Sequence, residues 1–290
     1  MEIVDAQVHF NLIGGVDIGL SAMDAAGVDA ILMDEFNGFT PTGKRMPGVE
    51  LPNGAVRSIY PVSEDVVARH PGRFGYIARV DRRDPEMDHV MSEVRSKQER
   101  LCIRLTPQAK SGELDAFAQG AYMDLLASAE RHNVPCFVLT PGRTDMLIPY
   151  VEKFPAQQFI IDHCGFLLHG ATPQGPGRFD GLEPSIRMAK YPNVALKWCY
   201  APALSEQGYP YDDLMPHFLR VLDAFTPQRV VWASDYTHTR EDYSWAESYF
   251  YIRDSKALSD GDKEWIFGRS LRTLLRWPNP ERKAKAVTAH

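Results

Sequence analysis

The chain has 290 residues, 44% of them hydrophobic and 24% charged, enough to bury one large core or two modest ones. Thirty-two Lys and Arg against 38 Asp and Glu leave a net charge of −6, so the chain lacks the basic surface that a nucleic-acid backbone or an anionic membrane attracts. No apolar run approaches the roughly 18 residues of a membrane span, and the acids of Met1-Glu2-Ile3-Val4-Asp5 stand where a signal peptide needs bases. Cys102, Cys136, Cys164 and Cys199 form no CxxC and lie in or beside apolar runs, as buried free thiols do; the expectation is a cytoplasmic chain with neither a disulfide framework nor a structural zinc site.

In chain order, short and nearly all-apolar runs at 3–8, 30–33, 74–80, 101–105, 135–139, 158–161, 194–198 and 229–233 read as parallel strands buried on both faces. Between them, 64–69, 87–98, 115–131, 145–153, 184–190 and 214–224 repeat apolar residues at helical spacing. His132-Asn133, Tyr191-Pro192-Asn193 and Thr226-Pro227 supply breakers before the fifth, seventh and eighth strands. Eight strands alternating with helices predict an α/β fold, a (β/α)8 TIM barrel in a single domain over 1–278, followed by a flexible polar tail over 279–290. The competing doubly wound sheet needs a Gly-rich phosphate turn directly after the first strand, and Gly14-Gly15 comes too late and lacks the third glycine. The long connections 36–60 and 169–179, without periodicity of their own, would both lie on the C-terminal face, where barrel active sites are built.

Chemistry is therefore sought where strands stop. The first ends Asp5-Ala6-Gln7-Val8-His9, and strand alternation turns Asp5, Gln7 and His9 to one side. The sixth ends Ile161-Asp162-His163-Cys164-Gly165 and the eighth Ala233-Ser234-Asp235-Tyr236-Thr237-His238. Singly, a strand-end histidine is a hydrogen-bonded packing residue, and Asp235 is a helix cap. Together, His9, His163 and Asp235 put titratable groups at the same end of three strands and define a candidate site. Arg79, Arg104, Lys197 and Arg143 lie at or near other strand ends. One such cation pairs with an acid such as Asp81 or Asp235, but four exceed a single structural pair and suit a carboxylate-bearing ligand, with Arg104 the leading anchor. Lys44, Arg45 and Arg57 in the long second connection read as solvated charges. Tyr236, His238, Trp198 and Tyr200 read as rim residues, of which Tyr236 is retained as a substrate contact.

The stretches Val4-Asp5-Ala6-Gln7-Val8-His9-Phe10, Asp162-His163-Cys164-Gly165 and Ala233-Ser234-Asp235-Tyr236-Thr237-His238, with the closing Ile266-Phe267-Gly268-Arg269-Ser270-Leu271, resemble the amidohydrolase superfamily, in its amidohydrolase 2 branch of lactonases, hydrolases and decarboxylases. The resemblance implies a distorted barrel carrying histidines from the first, fifth and sixth strands and an aspartate from the eighth. His9, His163 and Asp235 match three of these positions. Gln7 stands where the first strand would carry another histidine, and the fifth strand ends Val138-Leu139-Thr140 with none. That leaves His9, His163 and Asp235 as the ligands for a single zinc, the minimum of a catalytic site, and the expectation is an enzyme without metal or other cofactor. The implied roles are Asp235 as general base toward water, and His9 and His163 as donors to the oxyanion. Gln7, Arg104, Arg79, Lys197 and Tyr236 would then hold a small anionic substrate, a carboxylate-bearing lactone or ester. Two other readings compete: a metal-dependent decarboxylase or hydratase of an unsaturated or aromatic acid, and a non-catalytic ligand-binding barrel. The sequence leaves a homo-oligomer open.

Overall fold

In the computed structural model, residues 1–9, 14–35, 48–97, 99–168 and 175–278 are described. The predicted strands form where the apolar runs fall: β1 (Val4–Val8), β2 (Ala30–Met33), β5 (Phe74–Ala78), β6 (Arg100–Leu105), β7 (Cys136–Val138), β8 (Phe159–Ile161), β9 (Val194–Trp198) and β10 (Val230–Trp232). They pair in parallel in the order β1-β2-β5-β6-β7-β8-β9-β10, a nearly closed TIM barrel with helices between the strands. Parallel strands covered on both faces need apolar side chains throughout, and each run is nearly all buried until a polar residue ends it. Val4, Ala6, Leu32, Ile77, Cys102, Phe137, Ile160, Ala195 and Val231 belong to one cluster inside the barrel, which Leu271, Leu275 and Trp277 of the C-terminal helix and the residues after it join. Their neighbours in sequence, such as Ile31, Ile103, Ile161, Leu196 and Trp232, pack outward in a second cluster with the helices.

Three expectations are corrected. The helix expected over 115–131 is two, Glu113–Ala118 and Met123–Arg131. Gly120, at φ 84, ends the first: its N–H bonds Phe117 O and that of Ala121 bonds Ala116 O, a Schellman arrangement that only a left-handed residue allows. The connection 36–60 is not without structure, because β3 (Gly48–Glu50) and β4 (Val56–Ser58) form an antiparallel hairpin. Arg57 pins it through Asp84 (Nε–Oδ2 2.6 Å) and Glu86, so Arg57 is an ion-paired strut rather than a solvated charge. Third, β1 is bulged. Its register against β2 shifts between Asp5 and Val8, and with Val4 and Ala6 inside the barrel, Asp5 faces the other way while Gln7 and His9 turn back in. The helix Val16–Ala26, closed by left-handed Gly27, has no counterpart in the sequence reading. The expected tail 279–290, along with Lys44, Arg45 and the start of the connection after the sixth strand, lies outside the described residues.

Asp5 closes the barrel. Among the described residues β10 and β1 share no ladder, and the Asp5 carboxylate crosses the seam instead. It accepts from Ser234 N (3.0 Å), Trp245 Nε1 (2.8 Å), Gln7 N (3.0 Å) and the Ser234 hydroxyl. Asp235 N to Gln7 O (3.2 Å) and His9 N to Thr237 Oγ1 (3.0 Å) complete the closure. Burial pushes the Asp5 carboxyl up to about 6 against these donors. Asp5→Asn is expected to lower stability by about 1–3 kcal/mol in a urea melt, because an amide NH2 meets donors wherever it points. An unchanged midpoint would show that the seam does not depend on this carboxylate.

Candidate active site

The ends of seven barrel strands converge on one buried, charged cluster. Gln7 comes from β1 and His9 follows it, and Arg104 comes from β6. Asp34 follows β2, Arg79 follows β5, Asp162 and His163 follow β8, Lys197 and Cys199 come from or follow β9, and Asp235 follows β10. All except Arg79 are buried outright, and the Arg79 side chain is only 9% exposed. His163 and Asp235 both sit at φ 49, the left-handed region that costs a non-glycine residue energy, and this sharp turn off each strand aims the two side chains at one another. His163 Nε2 lies 3.1 Å from Asp235 Oδ2 and His163 Nδ1 lies 3.0 Å from Asp162 Oδ1, so the imidazole bridges two carboxylates.

Asp162 is the hub. Its other partners are Arg104, whose Nε donates to Oδ2 at 2.5 Å, and the Lys197 ammonium on Oδ1. Arg104 Nη1 also donates to Asp34 (2.6 Å), which Arg79 contacts from the other side. Lys197 additionally donates to Gln7 Oε1, and that fixes the amide: its NH2 faces His9 Nε2 at 3.2 Å, which must accept, leaving the His9 proton on Nδ1.

The electrostatics follow from these contacts. Burial works against charge on Asp162, but Arg104 and Lys197 hold its carboxyl well below the usual range, as Arg79 and Arg104 do for Asp34. Burial also works against charge on His163, and the Cys199 sulfur and Asp162 outweigh it, so the imidazole stays protonated well above its ordinary value. His9 is the opposite case: burial pushes it down to about 4 against the pull of Asp34 and Asp235, and it is neutral at pH 7. Asp235 is brought down to about 2, because the bond from His163 and its charge overcome the penalty of burial. Within this cluster, and among the described residues, two buried atoms are left without a hydrogen-bond partner: Asp235 Oδ1 and His9 Nδ1.

The structure thus brings His9, His163, Asp235, Gln7, Arg104, Arg79 and Lys197 into one network. Asp235 precedes the short helix Tyr236–Thr239, yet its side chain makes no capping bond there, so the cap role is not the one it plays. Tyr236 is half-buried at the rim with its ring stacked on Trp245 (5.2 Å between centroids, 8° between planes). The exposed His238 ring meets His9 edge-on at 4.3 Å. Trp198 faces outward and bonds Tyr251, and Arg143 is exposed; neither joins the cluster. Asp34 and Asp162 are residues to which the sequence reading gave no site role, although each directly follows a predicted strand, the same signal that singled out Asp235. For metal binding, two groups of three donors stand close enough to share an ion: His9, Asp235 and His238, and His163, Cys199 and Asp235.

A parallel eight-stranded barrel with titratable groups gathered at its C-terminal mouth is the architecture of a TIM-barrel enzyme. The amidohydrolase family model matches residues 4–276, and the chain belongs to that family. It is similar to L-fucono-1,5-lactonase of Burkholderia ambifaria (26% identity over 107 residues, 36% of this chain and 34% of that one). It is also similar to D-galactarolactone isomerase of Agrobacterium fabrum (25% over 134 residues, 46% and 42%). These matches span less than half the length of either relative. A crystal structure of an amidohydrolase from Burkholderia multivorans with bound zinc shares the fold at a TM-score of 0.72 and 16% identity, covering 96% of this chain and 100% of that one. No helix among the described residues is long and apolar enough to cross a membrane.

Proposed function

We propose that this protein hydrolyses a small lactone or related ester bearing a carboxylate, without a metal ion. The observation that carries this reading is the pair of unpartnered atoms in the buried site, Asp235 Oδ1, an acceptor with no donor, and His9 Nδ1, a donor with no acceptor. A water on Asp235 Oδ1 gives it a proton as its oxygen bonds the carbonyl carbon, and the π pair moves onto the carbonyl oxygen. His9 Nδ1 donates to that oxyanion, and the Gln7 NH2 has a second hydrogen to offer, each such donor contributing about 3–4 kcal/mol; the donor role expected of His163 falls away, because both of its N–H groups are held by Asp162 and Asp235. When the C=O bond re-forms, the ring C–O bond breaks and the leaving alkoxide takes the proton back from Asp235. The lactone named for the Burkholderia ambifaria relative supports a lactone as substrate, and the cations of the site support its carboxylate. The four buried free cysteines support a cytoplasmic setting.

The donor chemistry of the site does not suit zinc. Both nitrogens of His163 face carboxylates, and the Gln7 NH2 is turned onto the lone pair that His9 Nε2 would give a metal. A pH-indicator screen of lactones, esters and carboxylic acids, with and without chelator, tests the whole reading. Acid release from a lactone, indifferent to chelator, is expected. No release from any lactone or ester would overturn it, as would activity lost to chelator and restored by zinc.

The substrate carboxylate is assigned to Arg104. Its Nε and Nη1 are held by Asp162 and Asp34, while Nη2 has no partner among the described residues. Arg104→Lys keeps the charge but loses this fork, so KM for an acidic substrate should rise about 10- to 100-fold, the value of one charge-assisted hydrogen bond. The KM of a neutral analogue should change less than about threefold. Equal losses for both would make Arg104 purely structural.

A further inference from the structure

We propose that the Lys197 ammonium, held between Gln7 and Asp162, occupies the place of a divalent ion in this barrel mouth and closes the site to metal. Lys197 has no exposed surface, and an ammonium is taken out of water at a cost that only close partners offset. Its partners are Gln7 Oε1 and Asp162 Oδ1, with the Phe137 ring 5.4 Å away. This inference deepens the metal-free reading above by naming the residues that impose it.

Two independent features of the cluster point the same way. The first is charge. Asp34, Asp162 and Asp235 face Arg79, Arg104, Lys197 and the protonated His163, all buried or nearly so, so the cations outnumber the carboxylates by one. A divalent ion added to that set brings two further positive charges with no carboxylate left to offset them, in surroundings where water screens little. Without Lys197 the same cluster is neutral, and a cation no longer enters against an excess of positive charge. The second is orientation. An ammonium can only donate, so the Gln7 oxygen must face it, and the amide nitrogen must face His9 Nε2. A poor ligand is thereby turned to its non-ligating end, against the imidazole best placed to ligate. One lysine therefore supplies the excess positive charge of the site and sets both the amide orientation and the His9 tautomer.

Elemental analysis of purified protein after incubation with zinc and gel filtration tests this independently of turnover. The parent chain should retain less than about 0.1 equivalent of zinc, and Gln7→His alone, with the ammonium still in place, should do the same. The double variant Gln7→His/Lys197→Met should hold about one equivalent. About one equivalent in the parent or in the single variant would overturn the proposal, whether or not the double variant folds. So would a double variant that is folded by circular dichroism and stays empty. A chain that follows the expected zinc pattern but hydrolyses no lactone would overturn the hydrolase reading alone.

Discussion

Replacing Asp235 by Asn should lower kcat by about 10²–10⁴-fold while leaving KM within about threefold, since the substitution removes the proton acceptor and none of the cations assigned to the substrate. The geometry makes this larger than the loss of one base. Asp235 Oδ2 accepts a hydrogen bond from His163 Nε2 at 3.1 Å, and Oδ1 is buried without a donor. An amide offers one oxygen, so it either keeps His163 and presents an NH2 to the attacking water, or the reverse. Because the Asp235 carboxyl lies near 2, the parent should be fully active from neutral pH down to its limb of acid inactivation, and the Asn variant should show no such limb. Parental kcat in the Asn variant would remove Asp235 from the chemistry and the hydrolase reading with it.

Asp162→Ala should be the most destabilising single change at the site, by about 3–5 kcal/mol, because it strands buried cations rather than merely deleting a contact. Arg104, Lys197 and His163 all converge on this carboxylate. In a domain of this size that corresponds to a fall of about 10 °C in Tm. A melt within about 2 °C of the parent would show that the three cations find other partners. Acid should act on the same network. Asp235 is depressed from 3.8 to about 2, so its contribution is complete above its unfolded value and is lost as pH falls from about 4 toward 2, with Asp162 and Asp34, also depressed, adding in the same direction. His163, raised, contributes fully below its unfolded value near 6.5 and loses that contribution only as pH climbs past its folded one.

The sequence by itself determined the barrel and the position of its mouth, for a local reason. A strand buried on both faces is nearly all apolar, so 30–33, ended by Asp34, could be read to the residue, as could 194–198 despite the lysine inside it. Asp235, His163 and Lys197 were visible as strand-end or near-end polar residues by the same token. What those residues touch was decided only by tertiary structure. Arg104 meets Asp34 and Asp162, 70 and 58 residues away, because the tilt and order of the strands bring the ends of β2, β6 and β8 together across the barrel, and no local pattern encodes that. The bulge in β1 belongs to the same class. Period-two alternation placed Asp5 with Gln7 and His9, whereas the register shift against β2 sends Asp5 to the seam and leaves the other two facing Lys197 and Asp235. Spacing along the chain identified the residues, and the pairing of strands far apart in sequence assigned each one its partner.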